Sequence, residues 1–302
     1  MALLASLPGA IAQGLVWGIM AIGVYLTYKI LDVADLTVDG TLCTGACVAA
    51  VMILSGVHPL IAVLCAALAG AIAGIVTGLL HVALGIPAIL SGILTQMALW
   101  SVNLLILGGK SNVGLSVRTS HILLSLSDIP SALLVLALFC AVLIALLYLF
   151  FGTEFGAAIR ATGSNPVMSR AQGINTDLCK IVGISLSNGI VALAGALLAQ
   201  YQGFADVNMG RGAVVIGLAA VVIGSALVRR LPQNFALSLA GVLAGAIVYY
   251  LVYQVVIFVG FDTNLLKMFS AVVVAVFLGA PYLKNKFFRK KTSAKTGKGG
   301  GT

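Results

Sequence analysis

The chain has 302 residues, of which 61% are hydrophobic and only 8% charged. A water-soluble domain carries roughly 25% charged residues, so this composition excludes a soluble protein and defines an integral membrane one. The formal net charge of +9 is local, because seven of the seventeen Lys and Arg lie between Lys284 and Lys298, where there is no acid.

A spanning helix needs about 20 apolar residues. The chain offers nine such runs, at about 9–30, 40–55, 59–84, 88–108, 130–151, 178–201, 212–228, 235–259 and 265–283. The expected fold class is all-α: a polytopic membrane protein with about nine (8–10) transmembrane helices. Residues 1–283 would form the membrane domain and 284–302 a basic cytoplasmic tail. The opening "MALLASLPGAIAQG" lacks a basic n-region and does not read as a cleaved signal peptide. Basic residues between the runs gather at Lys29, at Arg160, Arg170 and Lys180, and at Arg229 and Arg230. With nine spans, alternate loops hold nearly all of these, and the positive-inside rule makes those loops cytoplasmic. The N-terminus then lies outside and the C-terminus inside, with 109–129 outside in spite of Lys110 and Arg118. The tail reads either as an orientation signal or as a contact for anionic lipid or an acidic partner.

In chain order, the first polar feature is Asp32, Asp35 and Asp39, spaced three and four apart as one helical face would carry them. A carboxylate at mid-membrane costs roughly 3 kcal/mol or more, so Asp39 is expected to face a cavity or cap a helix. Asp39-Gly40 before an apolar run reads as an N-cap. The polar side chains available to line a solute path are Asp35, Asp39, Thr41, Gln96, Asn103, Asn188, Gln200 and Asn208. The amides are equally suited to joining helices, at typically under ~1 kcal/mol each. Cys43 and Cys47 sit one helical turn apart in an apolar run and read as packing. The five cysteines and three histidines form no metal-binding or catalytic constellation.

The chain also repeats itself. "LAGAIAGI" at 68–75 matches "LAGVLAGA" at 239–246, and Gly40 and Gly45 align with Gly212 and Gly217 after a one-residue shift. This suggests repeat halves at about 32–108 and 206–283, inverted because an odd number of spans separates them. Inverted repeats are common in transport proteins, with the solute path between the halves.

The longest polar interruption is "GTEFGAAIRATGSNPVMSRAQGINT", within a loop at 152–177. Asn165 followed by Pro166 is an N-cap with proline at the first helical position. Gly173 is a suitable terminator. Together they predict a short helix, Pro166 to Gln172, about 10 Å long, with Val167, Met168 and Ala171 on one face. So short a helix needs something to hold it: its own membrane domain, or a pocket on a cytoplasmic partner.

This loop and the helix after it resemble those of ATP-binding-cassette importer permeases of the ribose and branched-chain amino acid type. The matching residues are Gly156, Arg160-Ala161, Gly163, Asn165, Ala171 and Gly173-Ile174-Asn175. Further similarity lies in "VADLTVDGTLCTGA", "GIPAILSGILTQMALWSVNLLILGG" and "GLAAVVIGSAL", so it covers most of the chain. The "DLTVDG" wording is similar to a subgroup associated with aromatic amino acids. Two departures bear on the solute: "SALVRRLPQ" replaces a glycine-rich loop, and Arg211 stands where the family commonly has an acid.

The resemblance implies the transmembrane subunit of an importer for a small polar solute, an amino acid or a sugar, in a bacterial plasma membrane. It implies a separate ATPase subunit that binds the ATP-Mg, an extracellular or periplasmic substrate-binding protein, a second permease copy and no nucleic acid. In this chain no cofactor is expected, and no Walker loop is present. The coupling helix would be Pro166 to Gln172, with Glu154, Arg160 and Arg170 as rim ion pairs to the ATPase. The alternative reading is an ion-coupled secondary transporter with Asp35 and Asp39 as its ion site. An intramembrane enzyme lacks any pair of residues able to do the chemistry.

Overall fold

The computed structural model describes residues 2–115, 122–124, 128–229 and 234–258, with Met268, Val272 and Ala275. The ninth predicted span at 265–283, apart from those three residues, and the tail at 284–302 lie outside the described residues. So do Arg118 and Arg230.

The described helices, in order, are α1 (Ala2–Tyr25), α2 (Val38–Leu54), α3 (Pro59–Val82), α4 (Ala88–Ile106) and α5 (Ile129–Gly152). They continue with α6 (Glu154–Ser164), α7 (Pro166–Ala171), α8 (Thr176–Gln202), α9 (Ala213–Val228) and α10 (Phe235–Phe258). A π-helical turn, Leu26–Ile30, extends α1. Two three-residue strands, β1 (Asn112–Gly114) and β2 (Phe204–Asp206), pair antiparallel. Among the described residues, six helices are long and apolar enough to cross a membrane: α1 with its π turn, α3, α4, α5, α8 and α10. Two more, α2 and α9, are apolar but shorter.

α8 runs through the middle of the bundle, against α1, α2 and α3. Small residues let it approach closely. A Cβ on Gly195 would overlap the Leu42 carbonyl of α2, and one on Gly45 would overlap the Ala192 carbonyl of α8. α5 lies at the edge, against α1, α6 and α10. It turns Leu134, Leu138, Val142, Leu146 and Leu149 outward. Spaced at helical intervals, these form an apolar stripe that a bilayer, not water, accommodates.

The order of elements occurs twice. α1 leads through an irregular link at 31–37 to α2 and α3, and α8 leads through a link at 203–212, which holds β2, to α9 and α10. Packing follows the same pairing, since α8 lies on α2 and α3 while α1 lies on α9 and α10.

Three expectations need correction. Asp32, Asp35 and Asp39 do not share a helical face, because the helix begins only at Val38. Asp32 has φ 53°, a left-handed conformation that interrupts helix. The short helix in the polar loop ends at Ala171, with Gln172 as its C-cap. That loop also holds an unexpected second helix, α6.

Candidate functional site

The polar loop between α5 and α8 is rigidly built. Thr153 caps α6, its Oγ1 accepting from Gly156 N at 3.2 Å. Glu154 follows in the first turn, where the helix dipole favours an acid. Arg160 Nη2 donates to Phe151 O at 2.8 Å, binding α6 back to the end of α5. Gly163 lies flush on the π turn, where a Cβ would overlap the Ile30 carbonyl.

α7 is then closed at both ends. Asn165 Oδ1 accepts from Met168 N at 3.0 Å, and Pro166 occupies the first turn. At the other end Gly173 adopts φ 82°. Gly173 N donates to Arg170 O at 3.0 Å and Ile174 N to Ser169 O at 3.0 Å. This is the Schellman arrangement that satisfies terminal carbonyls. Asn175 Oδ1 in turn caps α8 through Leu178 N at 3.1 Å. Ser169 faces inward at 4% exposure, whereas Val167 and Met168 are 78% and 60% exposed. Ala171 is exposed as well. Arg170 sits within hydrogen-bond distance of Thr176 Oγ1 and Asp177 Oδ1, both at 2.6 Å. Of the three expected rim charges, Arg170 and Arg160 therefore have partners within this chain.

Inside the bundle, the candidate path residues separate into two groups. Asp35, 7% exposed, accepts from Thr37 N at 2.8 Å and from Asn188 Nδ2 at 2.7 Å. Asn188 Oδ1 accepts from Thr41 at 2.8 Å, and the Thr37 and Thr77 hydroxyls meet at 2.9 Å. This closed cluster joins the 31–37 link to α2, α3 and α8.

The second group surrounds a cavity of about 320 Å³. Its walls are Asp39, Gly40 and Cys43 from α2, Ile93, Gln96, Met97, Trp100 and Asn103 from α4, and Val207 and Arg211. None of the Asp35 cluster lines it. Asp39 does cap a helix, but not its own. Its Oδ2 accepts from Gly212 N and its Oδ1 from Val214 N, both at 2.9 Å, at the start of α9. The N-termini of α2 and α9 thus meet at one wall. Cys43 Sγ accepts from Gly210 N at 3.1 Å, fixing the same junction. Asn103 is fully buried, and its Nδ2 reaches Gly40 O only at 3.4 Å. Its Oδ1 has no hydrogen-bond partner.

The remaining candidates lie elsewhere. Gln200 Oε1 accepts from Leu123 N at 3.0 Å, and Asn208 is an exposed turn residue whose N–H donates to Asp206. Trp100, Cys43 and Arg211 were not among the predicted path residues. Two further cavities, about 530 and 360 Å³, open beside α6 and share Asp32 and Gly163. Among the described residues, no group of His, Cys, Asp and Glu could hold a metal ion.

An all-helical membrane bundle with a partly polar cavity, and a braced loop helix turning apolar side chains outward, defines a solute permease. Over residues 7–280 the chain matches, and belongs to, the family described as branched-chain amino acid transport system / permease component. It is similar to a tyrosine transport system permease protein of Clostridioides difficile, 38% identical over 94% of this chain and 93% of the relative. An uncharacterized protein of Rickettsia prowazekii is 33% identical over 90% of this chain and 96% of its own length. An autoinducer 2 import system permease protein of Salmonella paratyphi B is 31% identical over 68% of this chain and 59% of the relative. No solved structure matches. The chain is the permease subunit of an ATP-binding-cassette importer, a transport protein and not an enzyme, in a family that works with ATPase and binding-protein partners. These matches lend no support to the ion-coupled alternative.

Proposed function

We propose that this permease passes an amino acid, delivered by an extracellular binding protein, across the plasma membrane of a bacterium between two identical copies of the chain. α7 is its contact with the ATPase subunit. The family description and the relative named for tyrosine transport support an amino acid as the solute. In this reading the cavity at Asp39 belongs to the path, and the loop holding α7 lies on the cytoplasmic side with the C-terminus. The repeated order of helices fits two inverted halves, with the path between them.

The observation that carries the coupling role is the exposure of Val167 and Met168 on a helix fixed at both ends. A six-residue helix has no stability of its own, so caps this complete serve to present its outer face. Motion of α7 has a direct route inward. Gly163 of the neighbouring α6 presses on Ile30 and Leu31, where the 31–37 link begins. That link is anchored at Asp35, and α2 follows with Asp39. A shift at the loop would therefore be felt at the junction of α2 and α9.

The test is Met168→Asp. Burying an unpaired carboxylate in a partner's groove costs several kcal/mol, more than exposed ion pairs return at roughly 0–1 kcal/mol. The variant should insert and express normally, yet lose the ATPase in a pull-down and lose uptake. Retention of both would show that α7 does not dock by this face.

A further inference from the structure

The cavity between α2, α4 and the link at 203–212 has a composition that selects among small solutes. One acid, Asp39, and one base, Arg211, line it with the amides of Gln96 and Asn103. Trp100 and Met97 are among its apolar walls. Its volume of about 320 Å³ sits at the small end of ligand pockets, room for one solute of amino-acid size.

Three groups there have bonding capacity that the fold does not use. The Arg211 guanidinium makes no hydrogen bond or ion pair among the described residues. A guanidinium holds a carboxylate through two parallel N–H bonds, and Arg211 stands two residues before the first residue of α9. Asp39 accepts one backbone N–H on each oxygen, and each carboxylate oxygen has a second lone pair to offer. Asn103 Oδ1 is a buried acceptor without a donor, and an ammonium group has three donors and no acceptor.

We infer that this cavity holds the zwitterionic head of an α-amino acid, with Arg211 on its carboxylate, Asp39 and Asn103 on its ammonium, and its side chain against Trp100 and Met97. The inference rests on the amino-acid reading above and assigns that solute a place. A neutral sugar would give the exposed Arg211 guanidinium no anion to bind. A solute with two negative charges would meet Asp39. A zwitterion satisfies both ends, and Trp100 offers an aromatic surface to a flat side chain.

The test is direct binding of radiolabelled L-tyrosine to the permease–ATPase complex in nanodiscs without binding protein, beside uptake by the complete importer. Two analogues compete: tyramine, which lacks the carboxylate, and 3-(4-hydroxyphenyl)propionate, which lacks the ammonium. Each should compete at least about tenfold more weakly than tyrosine, the scale of one hydrogen bond to a charged group. Arg211→Gln should weaken tyrosine binding by at least about tenfold, while Arg211→Lys, which keeps the charge, should retain more of it. Equal binding by Arg211→Gln, or equal competition by either analogue, overturns the assignment and leaves the amino-acid reading intact. So does uptake of tyrosine by the importer with no binding to the nanodisc complex. If the complete importer takes up no amino acid at all, the underlying reading fails and the assignment with it. The analogue comparison uses the unaltered chain, so a folding defect in a variant does not affect it.

Discussion

Asp35 and Asp39 stand four residues apart, and each lies near a fully buried asparagine from another helix, Asn188 in one case and Asn103 in the other. Around Asp35 the bonding is closed: Thr37, Asn188, Thr41 and Thr77 engage one another's polar groups at 2.7–2.9 Å. Around Asp39 it is open. Two backbone N–H groups hold the carboxylate, but Asn103 Oδ1 has no partner and a cavity adjoins. In a medium without water an unsatisfied polar group is expensive. A closed cluster is therefore what a fold retains for its own cohesion, and an open one is what remains available to a passing solute. The two asparagines were indistinguishable as sequence, and their surroundings separate them.

The largest expected effect comes from breaking the closed side. Asn188→Leu would leave a buried Asp35 oxygen without its donor and remove the shortest of the Thr41 hydroxyl's bonds, leaving it only the Val38 and Thr37 carbonyls, costing about 3 kcal/mol. Thermal unfolding in detergent should show a sharp drop in melting temperature, together with poor expression. A smaller loss is expected for Asp39→Asn, which keeps one acceptor for the α9 cap but replaces the other with a donor facing a backbone N–H. A cap of this kind contributes about 1–2 kcal/mol, so the melting temperature should fall by a few degrees with expression retained. The smallest effect belongs to Asn103→Leu, which removes an amide lacking a partner on its oxygen for an apolar group of similar size. Its stability should stay within about 0.5 kcal/mol of the parent, or rise. If Asn103→Leu proved as damaging as Asn188→Leu in the same unfolding assay, the distinction between the two clusters would be wrong.

The parts legible in the sequence were those governed by local chemistry. Apolar runs near 20 residues announce spanning helices, and Asn165-Pro166 with Gly173 announces α7 to within a residue. α6 was readable too, since Phe155, Ile159 and Thr162 recur at four and three residues behind the capping Thr153, though its glycines obscured the pattern. The aspartates misled because a 3–4 spacing counts only where the backbone is helical. Asp35 instead folds back on Thr37 N two residues on, the side-chain turn that competes with helix. The Asp39 cap was invisible for another reason: its partner Gly212 is 173 residues away. Arg211 stood out in the sequence only as a departure from an expected acid. Its place in the cavity wall depends on how α2, α4 and the link at 203–212 come together, which no local pattern encodes.

If α7 transmits ATPase action to this bundle, its outer face touches the ATPase subunit. A photo-crosslinking amino acid placed at position 168 tests it most directly, with position 169 as the inward-facing control, in the assembled importer. Met168 is 60% exposed and Ser169 is 4% exposed. An ATPase-subunit adduct is expected from position 168 and none from 169. No adduct from 168, or adducts only to this chain or to lipid, would contradict it.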